Sequence, residues 1–309
     1  MSTTDPDPPS GLVGLRPLTL SAMIAGALRF LTRQPRTALS IGVIAGFASA
    51  IANIVGLGTV YPGVQERLAA VEPLTADPAA ADQSALAAAV VELLVSTVGM
   101  LVMVWLISVP VLAIANAMLI AAVGADVSGQ PVSAGSAWAS VRPKFVRVLA
   151  LWLVILATVG LCALPLVISM SVAQTDPVAG LGLSFLLAPL CLGALLMVLP
   201  RLVIAPVCLV LEDQAVAVAF IRARELAKGH WARIVGIAIV ALLFSRLVGA
   251  VVGLPFDIFA GADPLSTQAV FFTSLGRMAG TAVSLPLLSA AFVMLYVDLR
   301  VRGEGLGQS

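Results

Sequence analysis

Residues 133–170 read SAGSAWASVRPKFVRVLALWLVILATVGLCALPLVISM: a short amphipathic opening, a basic corner at Arg142-Pro143-Lys144-Phe145-Val146-Arg147, then an apolar run. The pattern returns at Lys228-Gly229-His230-Trp231-Ala232-Arg233 and, more loosely, at Arg33-Gln34-Pro35-Arg36, each time ahead of unbroken apolar residues. A proline or glycine interrupts the helix, the cations hold the corner among lipid headgroups, and the apolar run leaves that surface as a membrane span. The chain reads as three parallel copies of one module: an interfacial helix, a basic corner and a helix hairpin.

Composition agrees. Of 309 residues, 60% are hydrophobic and 11% charged, and the mean hydropathy is +1.08; soluble domains reach about 45–50% apolar even with glycine counted. Crossing about 30 Å of hydrocarbon takes about 20 apolar residues. The sequence thus predicts an all-α, polytopic transmembrane helical bundle with six spans, at about 37–60, 85–109, 146–170, 181–210, 231–253 and 269–296. These form one membrane domain over 17–303, between a disordered tail at 1–16 and a short tail at 304–309. The second apolar run continues to about Gly124. At a rise of about 1.5 Å per residue that makes about 60 Å of helix. Pro110 is expected to kink it, leaving 112–123 along or beyond the inner surface.

Three amphipathic helices are expected in the headgroup plane: over 18–31 with Leu20, Ile24, Ala27 and Leu31 on one face, over 136–141, and one opened by Glu212 and Asp213. Thirteen of the seventeen cations, among them Arg29, Arg222, Arg224, Arg300 and Arg302, fall on one side of this arrangement, and the opposite loops hold Arg67 with seven acids. Cations accumulate in cytoplasmic loops. The expectation is a multi-pass inner-membrane protein with both termini cytoplasmic, with Trp138, Trp231 and Tyr296 in an inner aromatic belt and Tyr61 in an outer one. Gly42, Gly46 and Ala50 form a small-residue stripe, and Gly249 with Gly253 and Gly276 with Gly280 have the spacing of close helix contacts.

Four charges fall inside expected spans: Glu92, Arg201, Arg246 and Arg277. A lone charge at mid-bilayer costs about 2.5–3.5 kcal/mol on insertion scales, so such residues pair, snorkel or face a cavity. Glu92, Arg246 and Arg277 lie at similar depth below the outer surface, so Glu92 is expected to pair with one arginine and leave the other for an anionic headgroup or substrate. Arg33, Arg36, Arg142, Lys144, Arg147, Lys228, His230 and Arg233 are the candidate lipid-headgroup contacts. Cys162, Cys191 and Cys208 lie inside apolar runs without metal-ligand spacing and read as core residues, and His230 is the sole histidine. No hydrolase, metalloprotease or phosphate-loop motif is present. The expectation is a non-enzyme without a cofactor, whose partners are anionic membrane lipids and a membrane protein, and not nucleic acid.

The segments Leu15-Arg16-Pro17-Leu18-Thr19-Leu20 with Gly26-Ala27-Leu28-Arg29, Arg224-Glu225-Leu226-Ala227-Lys228-Gly229-His230-Trp231-Ala232-Arg233, and Tyr296-Val297-Asp298-Leu299-Arg300-Val301-Arg302 resemble a bacterial integral membrane family, common in actinobacteria. That family is named for the membrane domain of glycerophosphoryl diester phosphodiesterases. The likeness covers most of the chain and departs at Ala25, where the family often carries an acid. Because the family's chemistry belongs to a separate soluble barrel, the resemblance implies an accessory or scaffold protein without catalytic activity.

Overall fold

The computed structural model describes residues 19–59, 83–173, 176–261 and 266–303, together with Gly63, Glu66, Arg67 and Ala69. The two expected tails and most of the loop after Tyr61 lie outside the described residues.

The first helix, α1 (Leu20–Arg33), starts where the Thr19 hydroxyl accepts a hydrogen bond from the Ala22 N–H at 3.3 Å. It stops at Gln34, because Pro35 restricts the residue before it, and Pro35 then opens α2 (Pro35–Thr59). Next come α3 (Gln83–Val127) and the short α4 (Ala134–Val141), the latter begun by a reciprocal cap between Ser133 and Ser136. A single 3₁₀ turn, Arg142–Lys144, joins it to α5 (Phe145–Ala173). Asp176 caps α6 (Pro177–Leu211), with its carboxylate accepting from the Ala179 N–H at 3.0 Å. The chain ends with α7 (Val216–Ala227), α8 (Trp231–Ala260) and α9 (Thr267–Gly303). The fold is all-α, and its order is short, long, long, three times over.

Within each unit the two long helices pack together, α2 with α3, α5 with α6 and α8 with α9. The second helices, α3, α6 and α9, also pack on one another and make the centre. In an 18-residue apolar stretch of each candidate span containing them 56%, 56% and 67% of residues are buried, against 50%, 11% and 33% for those containing α2, α5 and α8. Among the described residues six stretches are long and apolar enough to cross a membrane: Pro35–Gly56, Leu106–Val127, Ala134–Ala173, Val178–Leu211, Trp231–Ala260 and Thr267–Gly303. This is a multi-pass helical bundle.

The span boundaries differ from expectation in a way that matters for the site. Helix α3 passes through Pro110 without losing helical structure, and its buried part is the segment expected outside the bilayer: Ala113, Leu119, Ile120 and Val123 sit in the core beside Ile204, Leu209, Val293 and Leu295. Among the described residues α3 holds one candidate span, Leu106–Val127, and a shorter apolar stretch, Ala88–Gly99. Proline is tolerated in membrane helices because neighbouring groups satisfy the freed backbone. The same tolerance carries α8 past Pro255 to Ala260, well beyond the expected end at 253. Helix α9 reaches Gly303 instead of 296, helped by an Asp298–Arg302 pair one turn apart.

Lipid is as apolar as leucine, so close packing and not water exclusion holds such helices together. The small-residue stripes supply it. A Cβ on Gly42 would run into the Ala282 carbonyl oxygen, and one on Gly46 into that of Met278, so α2 lies directly on α9. The two remaining glycine pairs meet each other. A Cβ on Gly280 would stand 2.6 Å from the Gly249 carbonyl oxygen, and one on Gly276 3.2 Å from that of Gly253. Helix α1 packs on α9 through Met23, Ala27 and Phe30 and leaves Leu20 38% exposed, so its buried stripe is rotated from the one expected.

Candidate functional site

The basic corners gather at one end of the bundle, and each is closed by an acid at the end of the second long helix of its unit or just after it. The Arg147 guanidinium lies 3.1 Å from Asp213 Oδ1, and Lys144 Nζ donates to the Val210 carbonyl at 2.9 Å and lies 3.4 Å from the same carboxylate. In the third unit Arg233 donates twice to Asp298 Oδ2, at 3.1 and 3.2 Å, and Arg302 closes on the same carboxylate at 3.0 Å. The first unit repeats this without charge on its donor: Gln34 Nε2 donates to Asp126 Oδ1 at 3.5 Å. Corner and acid are 66 residues apart in the second unit and 65 in the third. The first needs 92, because 23 residues separate α2 from α3, against three between α5 and α6, and α3 is ten residues longer than α6. Asp126, Asp213 and Asp298 are thus the partners that a reading of the basic corners alone missed. Their signal is an acid at a nearly constant offset after the second and third corners.

These pairs divide the candidate headgroup contacts. Lys144, Arg147 and Arg233 are engaged inside the protein, whereas Arg33, Arg36, Arg142 and Lys228 are exposed at the same end. His230 is half-buried, its Nδ1 3.1 Å from the Lys228 carbonyl. Glu212 and Asp213 do not open α7 but sit in the turn before it, with Asp213 at φ 55°, and Arg222 pairs with Glu225 at 3.8 Å on α7 itself. Tyr296 is buried and not part of an exposed belt: its hydroxyl donates to Glu212 in a short hydrogen bond, while Arg222 holds the other carboxylate oxygen at 3.6 Å. A cavity of about 460 Å³ lies beside this pair, between α3, α4, α6 and α9. Trp231 is 44% exposed, yet its indole N–H donates to the Leu196 carbonyl at 3.1 Å. Pro200, one helical turn on, has no N–H to offer that oxygen.

The expected charge cluster separates into two places. Glu92 pairs with Arg67, Nε to Oε1 3.1 Å, and not with Arg246 or Arg277; its side chain is 65% exposed. The cause is the length of α3, whose C-terminal end lies at the basic corners, with Asp126 on Gln34. Glu92 precedes Val127 by 35 residues, about 52 Å of helix, and so lies beyond roughly 30 Å of hydrocarbon. Arg246 and Arg277 do come together, in the wall of a cavity of about 710 Å³ between α2, α8 and α9. Each lies about one turn from the Gly249–Gly280 contact. That places them about 9 Å apart along the helix axes. Asp257, expected in a loop, is helical and lines the same cavity, its Oδ1 3.5 Å from the position of a Cβ on Gly276. Neutral polar groups complete the wall, among them Asn53, which donates to Ser274 at 3.1 Å and to Thr273 at 3.4 Å. Among the described residues Arg246 and Arg277 have no ion pair. Arg201, next to Pro200 in α6, is exposed and lies outside both cavities.

Fold and site together define a class: an all-α, multi-pass membrane protein with a charge-clamped basic end and a two-arginine cavity toward the other. Comparison of the chain with models of known families, with characterised proteins and with solved structures finds no match. Cys162, Cys191 and Cys208 lie in α5 and α6, and among the described residues no group of histidine, cysteine or acidic side chains has the arrangement of a metal site.

Proposed function

We propose that the chain is a non-enzymatic integral membrane protein that acts as a scaffold or accessory subunit, holding anionic lipid or a membrane protein partner at its basic end, which faces the cytoplasm with both termini. The observation that carries this reading is the division of labour among the corner cations. Lys144 and Arg147 pair with Asp213 and Arg233 with the buried Asp298, and Arg33, Arg36, Arg142 and Lys228 are left outward on the frame so made. Basic clusters at a membrane surface attract anionic lipid by about 1 kcal/mol per cation. The packed core above them, built from α3, α6 and α9, suits a fixed platform. The resemblance to the phosphodiesterase membrane-domain family agrees with an accessory role.

The test is native mass spectrometry of protein released from membrane-derived nanodiscs. Retained anionic lipid or a second protein is expected, and loss of it when Arg33, Arg36, Arg142 and Lys228 are all replaced by Gln. Unchanged retention in that variant would remove the reading. A small transporter or lipid-translocating protein is the second reading, favoured by the cavity around Arg246 and Arg277. It requires a path through the packed layer of Leu119, Ile204 and Leu295, and lipid flux in reconstituted vesicles would reveal it.

A further inference from the structure

We infer that the cavity between α2, α8 and α9 is a headgroup site for a lipid phosphodiester of one negative charge, taken from the leaflet opposite the basic end. The inference rests on the lipid-binding reading only in that the bilayer supplies the ligand; its residues are different.

Position excludes simpler roles for the arginines. Arg246 stands at the middle of α8. About 21 Å of helix or more extends on either side of it, so snorkelling to a boundary does not explain it. The α8–α9 contact is already made by backbone against glycine, so the arginines are not needed to join these helices. Among the described residues no acid pairs with either. A charge at this depth is costly unless it finds a partner or a cavity. An anion between the two arginines removes that cost.

Charge and shape select the ligand. Two guanidinium groups and the Asp257 carboxylate leave one positive charge in the cavity wall. That balances one phosphodiester, whose oxygens match the planar fork of arginine. The volume is about 710 Å³. Small-molecule sites span roughly 300–1,000 Å³, so a headgroup fits. Leu247, Val251 and Leu254 of α8 also line it, and with Leu243 and Ile258 they continue an outward apolar stripe in which each is 52–76% exposed. A head that meets arginine while its tails lie on leucine is an amphiphile, not a free ion.

The experiment uses the full chain in a mild detergent, with thermal unfolding and native mass spectrometry as readouts. Phosphatidylglycerol, phosphatidylcholine, phosphatidic acid and inorganic phosphate are the probes. Phosphatidylglycerol is expected to raise the Tm and remain bound; the double variant R246Q/R277Q should bind it about tenfold more weakly. The fourfold variant of the basic end should keep this site, which separates the two readings. Asp257→Asn, which keeps both arginines, should shift preference toward dianionic phosphatidic acid and decides the matter if the double variant does not fold. An equal effect of phosphatidylcholine, full stabilisation by inorganic phosphate, unchanged binding by R246Q/R277Q or an unchanged headgroup preference in Asp257→Asn would each overturn the inference.

Discussion

Asp298 shows at the scale of one residue how this protein tolerates charge near lipid. Its carboxylate is fully buried, and Arg233 and Arg302 approach it from two sides while their own side chains stay 34% and 27% exposed. The acid gains two charge-assisted partners and the arginines keep water or headgroups. Asp298→Asn should therefore destabilise the protein by about 2 kcal/mol, the range of hydrogen bonds to charged groups, and not by the larger amount expected when a fully buried cation is stranded. Thermal unfolding in detergent measures this, and a Tm equal to wild type would show that the triad contributes nothing. Trp231 makes a subtler contribution, since its indole satisfies a carbonyl that Pro200 leaves open. Trp231→Phe should cost about 1 kcal/mol in the same assay, because the ring is kept and only the donor is lost.

At the scale of elements, helix contact here is decided by what a glycine faces. Gly280→Ala would push a methyl to within 2.6 Å of the Gly249 carbonyl oxygen and force α8 from α9. Overpacking of this kind costs about 1–3 kcal/mol. Gly236, on the same α8 but with nothing within 4 Å, is its control. Alanine there should stabilise the helix by about 0.5–1 kcal/mol. Opposite signs of the two Tm changes are the expected result, and a loss of similar size in both would refute the contact. These stripes were legible in the sequence because four-residue spacing places glycines on one helix face whatever the partner. Helix ends were less legible. Pro110 was expected to kink the second run and close its span at 109, and the fifth span to end at 253, yet α3 and α8 run on through Pro110 and Pro255, and with the ends misplaced Glu92 was assigned a depth it does not have. Asp257 was hidden for the same reason, as a residue of an expected loop. The pairing of Arg246 with Arg277 in one cavity depends on which helices become neighbours, which spacing along one helix does not encode.

For the whole molecule, the three corners and their acids explain why one end is fixed and the other accommodating. Corner and acid recur at nearly equal separations in the second and third units, so the same hairpin is locked in the same way, and the core lies in the half nearest these locks. Helix α3, with 45 residues, departs from the repeat by its length. A helix of that size is about 68 Å long, far more than the roughly 30 Å of hydrocarbon. With Val127 at the basic surface, the segment that holds Glu92 therefore extends beyond the opposite one. Single cysteines read with a membrane-impermeant maleimide in intact cells test both this overhang and the orientation assigned from the basic corners. Glu92→Cys should react from outside, Leu119→Cys should not react at all, and Gly303→Cys should react only once the membrane is permeabilised. An unreactive Glu92→Cys would return α3 to the bilayer and reopen a pairing between Glu92 and the arginines. Reaction of Gly303→Cys in intact cells would invert the molecule, placing the clamped basic end outside and turning the cavity of Arg246 and Arg277 toward the cytoplasmic leaflet.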